Sequence, residues 1–299
     1  MVQAGHLSCC ESSFPRLSRR VAWEVIKDLG FSAFDICVLA GYERTPPEQV
    51  VADPARAAGE LLRQLEPAGL AISDVFAILS DPFEALAVNH PDSAVRTESL
   101  RQFHQIVEFA RRLTPPGITI LPGTTFPGIE PQASLELAAT ELQTRAEIAG
   151  EAGMRLSVEP HYQSISATPA RTLELLDLAP DLWLTLDYSH FVFQGFSQRD
   201  VDPLIPRSRH LQLRPAAPGD MQTRANEGTI DFLALLQALQ QAGYSGYLSL
   251  EYCWEEWMGL NDVDCVCETA VLRELLLRHM DACGIWADHT SPTLSDPND

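Results

Sequence analysis

Basic side chains are scarce in this chain of 299 residues: 21 lysines and arginines stand against 41 aspartates and glutamates, a formal net charge of −20 with a pI near 4.7. Such a field repels phosphate backbones and anionic lipid headgroups, so nucleic acid and membrane are excluded as expected partners. Long apolar runs are lacking too. Nothing approaches the roughly 18 uninterrupted apolar residues of a membrane-spanning helix, and Met1 to Pro15 has neither the basic start nor the apolar stretch of a signal peptide. Cys9, Cys10, Cys37, Cys253, Cys265, Cys267 and Cys283 are odd in number and hold no C-x-x-C pair of zinc or redox spacing, so reduced thiols in a soluble, cytoplasmic protein are expected. No Pro/Gly-rich linker divides the chain. One domain over 1–286 follows, with a tail over 287–299, ADHTSPTLSDPND, too polar to order itself.

What is present is a 45% hydrophobic content, ample for a large core, distributed as short apolar runs alternating with longer stretches of helical period. Eight runs read as strands: His6–Cys10, Ala33–Leu39, Ile72–Leu79, Ile118–Leu121, Arg155–Glu159, Trp183–Asp187, His210–Leu213 and Tyr247–Tyr252. Between and after them, Arg16–Leu29, Ala52–Pro67, Ser93–Leu113, Ser134–Ala152, Thr168–Ala179, Asp200–Ile205, Asp231–Ala242 and Val263–Ala282 read as helices. Gly30, Gly69, Gly153, Gly243 and Gly246 fall where helices give way to strands. Repeated βα units of this number and total length predict an α/β fold, a single-domain (β/α)8 TIM barrel.

In such barrels the chemistry sits at the carboxyl ends of the strands, where the loops form the one open face. The fifth strand ends in LSVEPH, the sixth in LTLDYSH, the seventh reads HLQLR and the eighth ends in LSLEY, which puts Glu159, Asp187, Gln212 and Glu251 at corresponding places on four consecutive strands. Three converging carboxylates in an apolar setting repel one another and are costly to desolvate, and a divalent cation resolves both problems. Their oxygen-rich shell suits manganese or magnesium, with cobalt or zinc as lesser alternatives. The competing reading is that each acid caps the helix after its strand. His210 and Gln212 share a strand face, so either could be the third ligand, and Gln212 lies nearer the carboxyl end.

These motifs, VEPH, D-x-x-H at Asp187–His190, H-x-Q-x-R followed by AAPG and EGTID, and LSLEY, resemble the xylose-isomerase-like barrel superfamily of sugar isomerases and epimerases across most of the chain. The resemblance implies metal ligation by Glu159, Asp187, Gln212 and Glu251, with Glu159 and Glu251 also exchanging a proton with a carbon next to a carbonyl. Glutamine at the third position is similar to the hydroxypyruvate isomerase branch and departs from the histidine of ketose 3-epimerases. His190 is implied to bond a substrate hydroxyl from the loop after the sixth strand, and homo-oligomers are common among such barrels.

Among the remaining candidates, His161 shares the inward face of Glu159, and Arg214 shares that of His210 and Gln212, making His161, Arg214 and His210 candidate substrate contacts against the alternatives of a satisfied core histidine and an internal ion pair. His6 and His90 stand alone. Phe126, Phe191, Phe193, Trp254 and Trp257 fall in predicted loops, able to wall a sugar ring or a non-sugar appendage, or simply to pack. Cys265 and Cys267 read as small apolar helix residues. The expected activity is a metal-dependent isomerase or epimerase of a sugar, keto-acid or related polyol, with a lyase or dehydratase on the same site as the alternative. An abasic-site endonuclease would need further histidines that are missing, and a scaffolding barrel would leave the acids without a task.

Overall fold

A computed structural model describes residues 6–284. Eight parallel strands, β1 (Leu7–Cys10), β2 (Ala33–Leu39), β3 (Ala71–Ile78), β4 (Gly117–Ile120), β5 (Arg155–Val158), β6 (Trp183–Asp187), β7 (Ser208–Leu213) and β8 (Leu248–Leu250), pair in sequence order, and β8 returns to β1 to close the barrel. This is the single-domain (β/α)8 architecture expected from the alternation, with strand ends shifted by a residue or two. Around it lie α1 (Arg19–Asp28), α2 (Pro47–Ala52), α3 (Pro54–Leu65), α4 (Ser93–Leu113), α5 (Pro131–Glu151), α6 (Pro169–Leu178), α7 (Tyr188–Phe193), α8 (Gln198–Val201), α9 (Phe232–Gln241) and α10 (Cys265–Ala282). The tail expected over 287–299 lies outside the described residues. Within them, no helix is long and apolar enough to cross a membrane.

Three stretches depart from expectation, each for a local reason. The helix expected over Ala52–Pro67 is α3, Pro54–Leu65, and the short α2 before it was not expected; the two stay separate because Pro54 cannot donate a backbone hydrogen bond and Asp53 caps α3, accepting the Arg56 N–H at 3.0 Å. The helix expected over Asp200–Ile205 is the single turn α8 followed by a 3-10 stretch, Asp202–Arg207, containing Pro203 and Pro206. The loop expected after β6 is helical: Asp187 accepts the Ser189 N–H at 2.8 Å and starts α7, which carries His190 and the core residue Phe191.

The main apolar core lies between sheet and helices, drawing on Phe34, Ile36, Ile106, Leu142, Leu211 and Leu272 among many others. The barrel interior below the site is polar instead. Arg209 bonds Asp74 at 2.8 Å and Ser157 at 2.6 Å, while Asp35 receives Ser73 at 2.6 Å and pairs with His210 at 2.9 Å. Buried charges persist where they are matched and hydrogen-bonded in this way. A bulge makes it fit: Leu184 pairs with Ser208 and Thr185 with His210, so Arg209 is the extra residue in β7. Above the bulge the register is regular, and Asp187 pairs with Gln212.

The connection into β8 is tight. A Cβ on Gly246 would run into the Arg209 carbonyl oxygen and the Tyr244 hydroxyl. Gly246→Ala is therefore expected to cost about 1–3 kcal/mol. A urea denaturation midpoint equal to that of the wild type would show that this connection relaxes freely.

Candidate active site

The strand ends gather the charged residues into one place. The Glu159 N–H continues the ladder to Ile120 of β4 at 3.1 Å and the Glu251 N–H to Leu213 of β7 at 3.0 Å, so each glutamate leaves its strand still in register with the preceding one. Glu159, Asp187, Gln212 and Glu251 are all buried, as are His190 and Arg214 beside them. Glu159, Asp187 and His190 bring one ligand atom each within 4.8 Å of one another. The Gln212 amide nitrogen donates to Glu251 Oε1 at 3.1 Å.

Two observations bear on whether these groups suit a cation. With its nitrogen committed to Glu251, Gln212 leaves Oε1 buried without a hydrogen-bond partner, and Asp187 Oδ2 is in the same condition. Buried acceptors are rarely left unmatched, and a pair of them beside two more carboxylates is a hard-oxygen donor set for a divalent ion. The residues therefore fit the metal expected from the sequence, and the capping alternative accounts for only half of Asp187: Oδ1 caps α7 while Oδ2 is left for the site.

His190 stands beside the two acids. Its Nδ1 accepts the Tyr162 N–H at 3.1 Å, and Nε2 lies 3.2 Å from Arg214 Nη2, 3.3 Å from Glu159 Oε1 and 3.6 Å from Asp187 Oδ2. His161 donates Nδ1–H to the Tyr162 carbonyl at 2.7 Å and leaves Nε2 as an acceptor lining the cavity. Burial pulls the His161 pKa down, so the ring stays neutral.

Arg214 is the internal cation. Its Nη2 stands 2.9 Å from Asp187 Oδ2, without the alignment of a hydrogen bond, and Nη1 stands 4.0 Å from Glu251 Oε2; Nε donates to Ser189 at 2.8 Å and Nη1 to the Cys253 sulfur at 2.9 Å. Burial opposes its charge, but Asp187, Cys253 and the two glutamates outweigh it and hold the pKa above the usual arginine value. The glutamates diverge. Glu159 is held below the ordinary carboxylate range because the His190 hydrogen bond and nearby positive charge outweigh its burial, whereas burial pushes Glu251 well above it, against the pull of Arg214.

His210 is the candidate the structure does not bring to the site. It lies two residues down β7, fully buried, with Nε2 on Asp35, and it does not line the cavity. Sequence reasoning in turn passed over Ser189 and Cys253, which hold Arg214, and Gln222, which pins the Cys253 backbone with bonds of 2.8 and 2.7 Å. Cys253 carried a usable signal, since it follows Glu251 by two and so shares its face. Phe126 and Phe193 pack on His90 and Tyr162, while Trp257 lines the cavity.

The model of one protein family, the xylose isomerase-like TIM barrel, matches residues 23–274. The chain belongs to that family. Within the xylose isomerase-like proteins, the 2-oxo-tetronate isomerase of Pectobacterium atrosepticum is 23% identical over 165 residues, which cover 52% of this chain and 61% of the relative. A putative hydroxypyruvate isomerase of Xenopus laevis is 28% identical over 169 residues, covering 50% of this chain and 58% of the relative. This chain thus spans less than two thirds of the length of either relative. A solved structure described as a D-tagatose 3-epimerase-like protein superposes with a TM-score of 0.74 over 93% of this chain and 99% of the other, at 18% identity, a likeness of fold.

Proposed function

We propose that this protein is a divalent-metal-dependent isomerase or epimerase of a sugar, a keto-acid or a related polyol, working by proton transfer at a carbon next to a carbonyl. The observation that carries the reading is the unmatched Gln212 Oε1, held in place among Glu159, Asp187 and Glu251 by its own amide bond to Glu251. The two curated relatives named as isomerases support the reaction class. Glu159, Asp187, Gln212 and Glu251 would hold manganese or magnesium, which stabilises negative charge developing on a carbonyl oxygen.

The protein's own residues supply the rest. Glu159 and Glu251 come from strands on different sides of the cavity and are the acid and base, one taking the proton and the other returning it. His190 Nε2, 3.3 Å from Glu159 Oε1, lines the cavity where a substrate hydroxyl would lie. Arg214 holds Asp187 in place beside the cavity.

The test is proton exchange. With Mn²⁺ bound, ketoses, inososes, hydroxypyruvate and 3-keto-glycosides are incubated in D2O and followed by NMR. The expected result is deuterium at one carbon of at least one substrate, with a rearranged product. A product lacking a hydroxyl or glycosyl group would assign the same site to a lyase, and absence of exchange from every member of the panel would sink the enolisation mechanism.

A further inference from the structure

The cavity holding Glu159 and Glu251 encloses about 520 Å³, within the roughly 300–1,000 Å³ of sites that enclose drug-sized ligands. Glu159, His161, His190, Arg214 and Glu251 line one part of it. From there it runs across the ends of β2, β3 and β4, where Leu39, Ile78, Leu79, Leu86 and Leu121 are half-buried and face the space. Ser80, Asp81 and Glu84 line the same stretch, but the five aliphatic side chains offer polyol hydroxyls no hydrogen bond in exchange for those to water. The mouth repeats the pattern. Phe83 and Trp257 are 48% and 49% exposed, both line this cavity, and the Phe83 ring meets His161 edge-on at 5.8 Å. Two large aromatics left in water on the rim of a reactive site form a surface that a ligand covers.

Charge narrows the occupant further. Lys27, the sole lysine of the sequence, lies on α1 and does not line the cavity. The two arginines that line it are both buried and committed, Arg145 to Glu141 at 2.8 Å and Arg214 to Asp187 at 2.9 Å, while Asp81, Glu84 and Glu255 add negative charge along the wall. Among the described residues lining the cavity, none is a free cation for a phosphate or a carboxylate tail.

Building on the proposed reaction, we infer that the substrate is a hydroxylated carbonyl compound bearing an uncharged apolar substituent the size of one or two aromatic rings, seated on the β2–β4 wall between Phe83 and Trp257. A bare sugar or a sugar phosphate fills only the polar end. The continuity of the apolar wall with the acid/base pair makes one ligand span both parts.

Calorimetric titration of the Mn²⁺-loaded protein tests this without turnover, so its outcome is separate from that of the deuterium experiment. Methyl β-D-glucopyranoside, phenyl β-D-glucopyranoside and D-glucose 6-phosphate are the probes. The phenyl glucoside is expected to bind about tenfold or more tightly than the methyl glucoside, with a negative heat-capacity change, and the phosphate no more tightly than the methyl glucoside. In Phe83→Ala and Trp257→Ala, both at exposed positions, the phenyl-to-methyl ratio should fall toward one. Equal affinities, no binding of either glucoside, preference for the phosphate, or a ratio untouched by both substitutions would each overturn the assignment. So would a dimer, seen by light scattering, that buries Phe83 and Trp257 in a protein with no phenyl preference.

Discussion

Glu251→Gln is expected to reduce turnover by about 10³-fold or more while leaving the circular dichroism spectrum unchanged. The size follows from what the carboxylate does. General acid–base groups are worth about 10²–10⁴ in rate, and this one is also a candidate ligand and the acceptor that orients Gln212 at 3.1 Å. Glutamine is nearly the same shape, so the barrel should tolerate it, but an amide neither takes a proton nor brings a charge to the ion. A companion titration should show weaker Mn²⁺ binding. Turnover within tenfold of the wild type on the substrate found by deuterium exchange would remove Glu251 from the acid/base pair and leave the barrel looking like a binding protein.

Arg214→Met should be the most damaging substitution for stability, and only under one condition. With a chelator present, the guanidinium is the nearby fixed positive charge on the 1% exposed Asp187, and removing one partner of a buried ion pair costs about 3–5 kcal/mol. For a chain of this size that corresponds to a fall in Tm of roughly 5–8 °C. Added Mn²⁺ should recover most of the loss, because a divalent cation neutralises the same carboxylates. Melting curves of both proteins with EDTA and with Mn²⁺ decide the matter. A variant as stable as the wild type in EDTA would mean that Asp187 does not depend on Arg214, and an unrecovered variant would mean that the ion does not reach Asp187.

Much of this was legible in the residues. β2 and β6 run between the residues expected, because short apolar runs bounded by polar turns have one sensible reading, and Ser93–Leu113 has the same bounds because an Asp92 cap and a long apolar stripe frame it. Glu159, Asp187, Gln212 and Glu251 stood out because polar groups that end apolar strands need a reason. Other features were hidden by physics that sequence spacing does not carry. The α7 helix depends on a side-chain cap from Asp187, the very residue assigned to chemistry. The bulge at Arg209 is a register event between two strands, invisible along either one. The place of His210 below the cavity was not legible, because alternation says which face a side chain takes but not how deep in the barrel it sits, and Asp35, its partner, is 175 residues away in sequence. Arg214 lies close to both readings offered for it, lining the cavity while paired internally.

The Asp187 carboxylate is divided, Oδ1 on the Ser189 N–H and Oδ2 toward the site. Turning the side chain to relieve the unmatched oxygen would uncap α7, at a cost typical of such caps of about 1 kcal/mol. The cap thereby favours the orientation that leaves the second oxygen toward the site, and α7, which carries His190, starts from the same carboxylate. Strand end and helix start thus share one side chain, so the residue that ends β6 also sets where α7 carries His190.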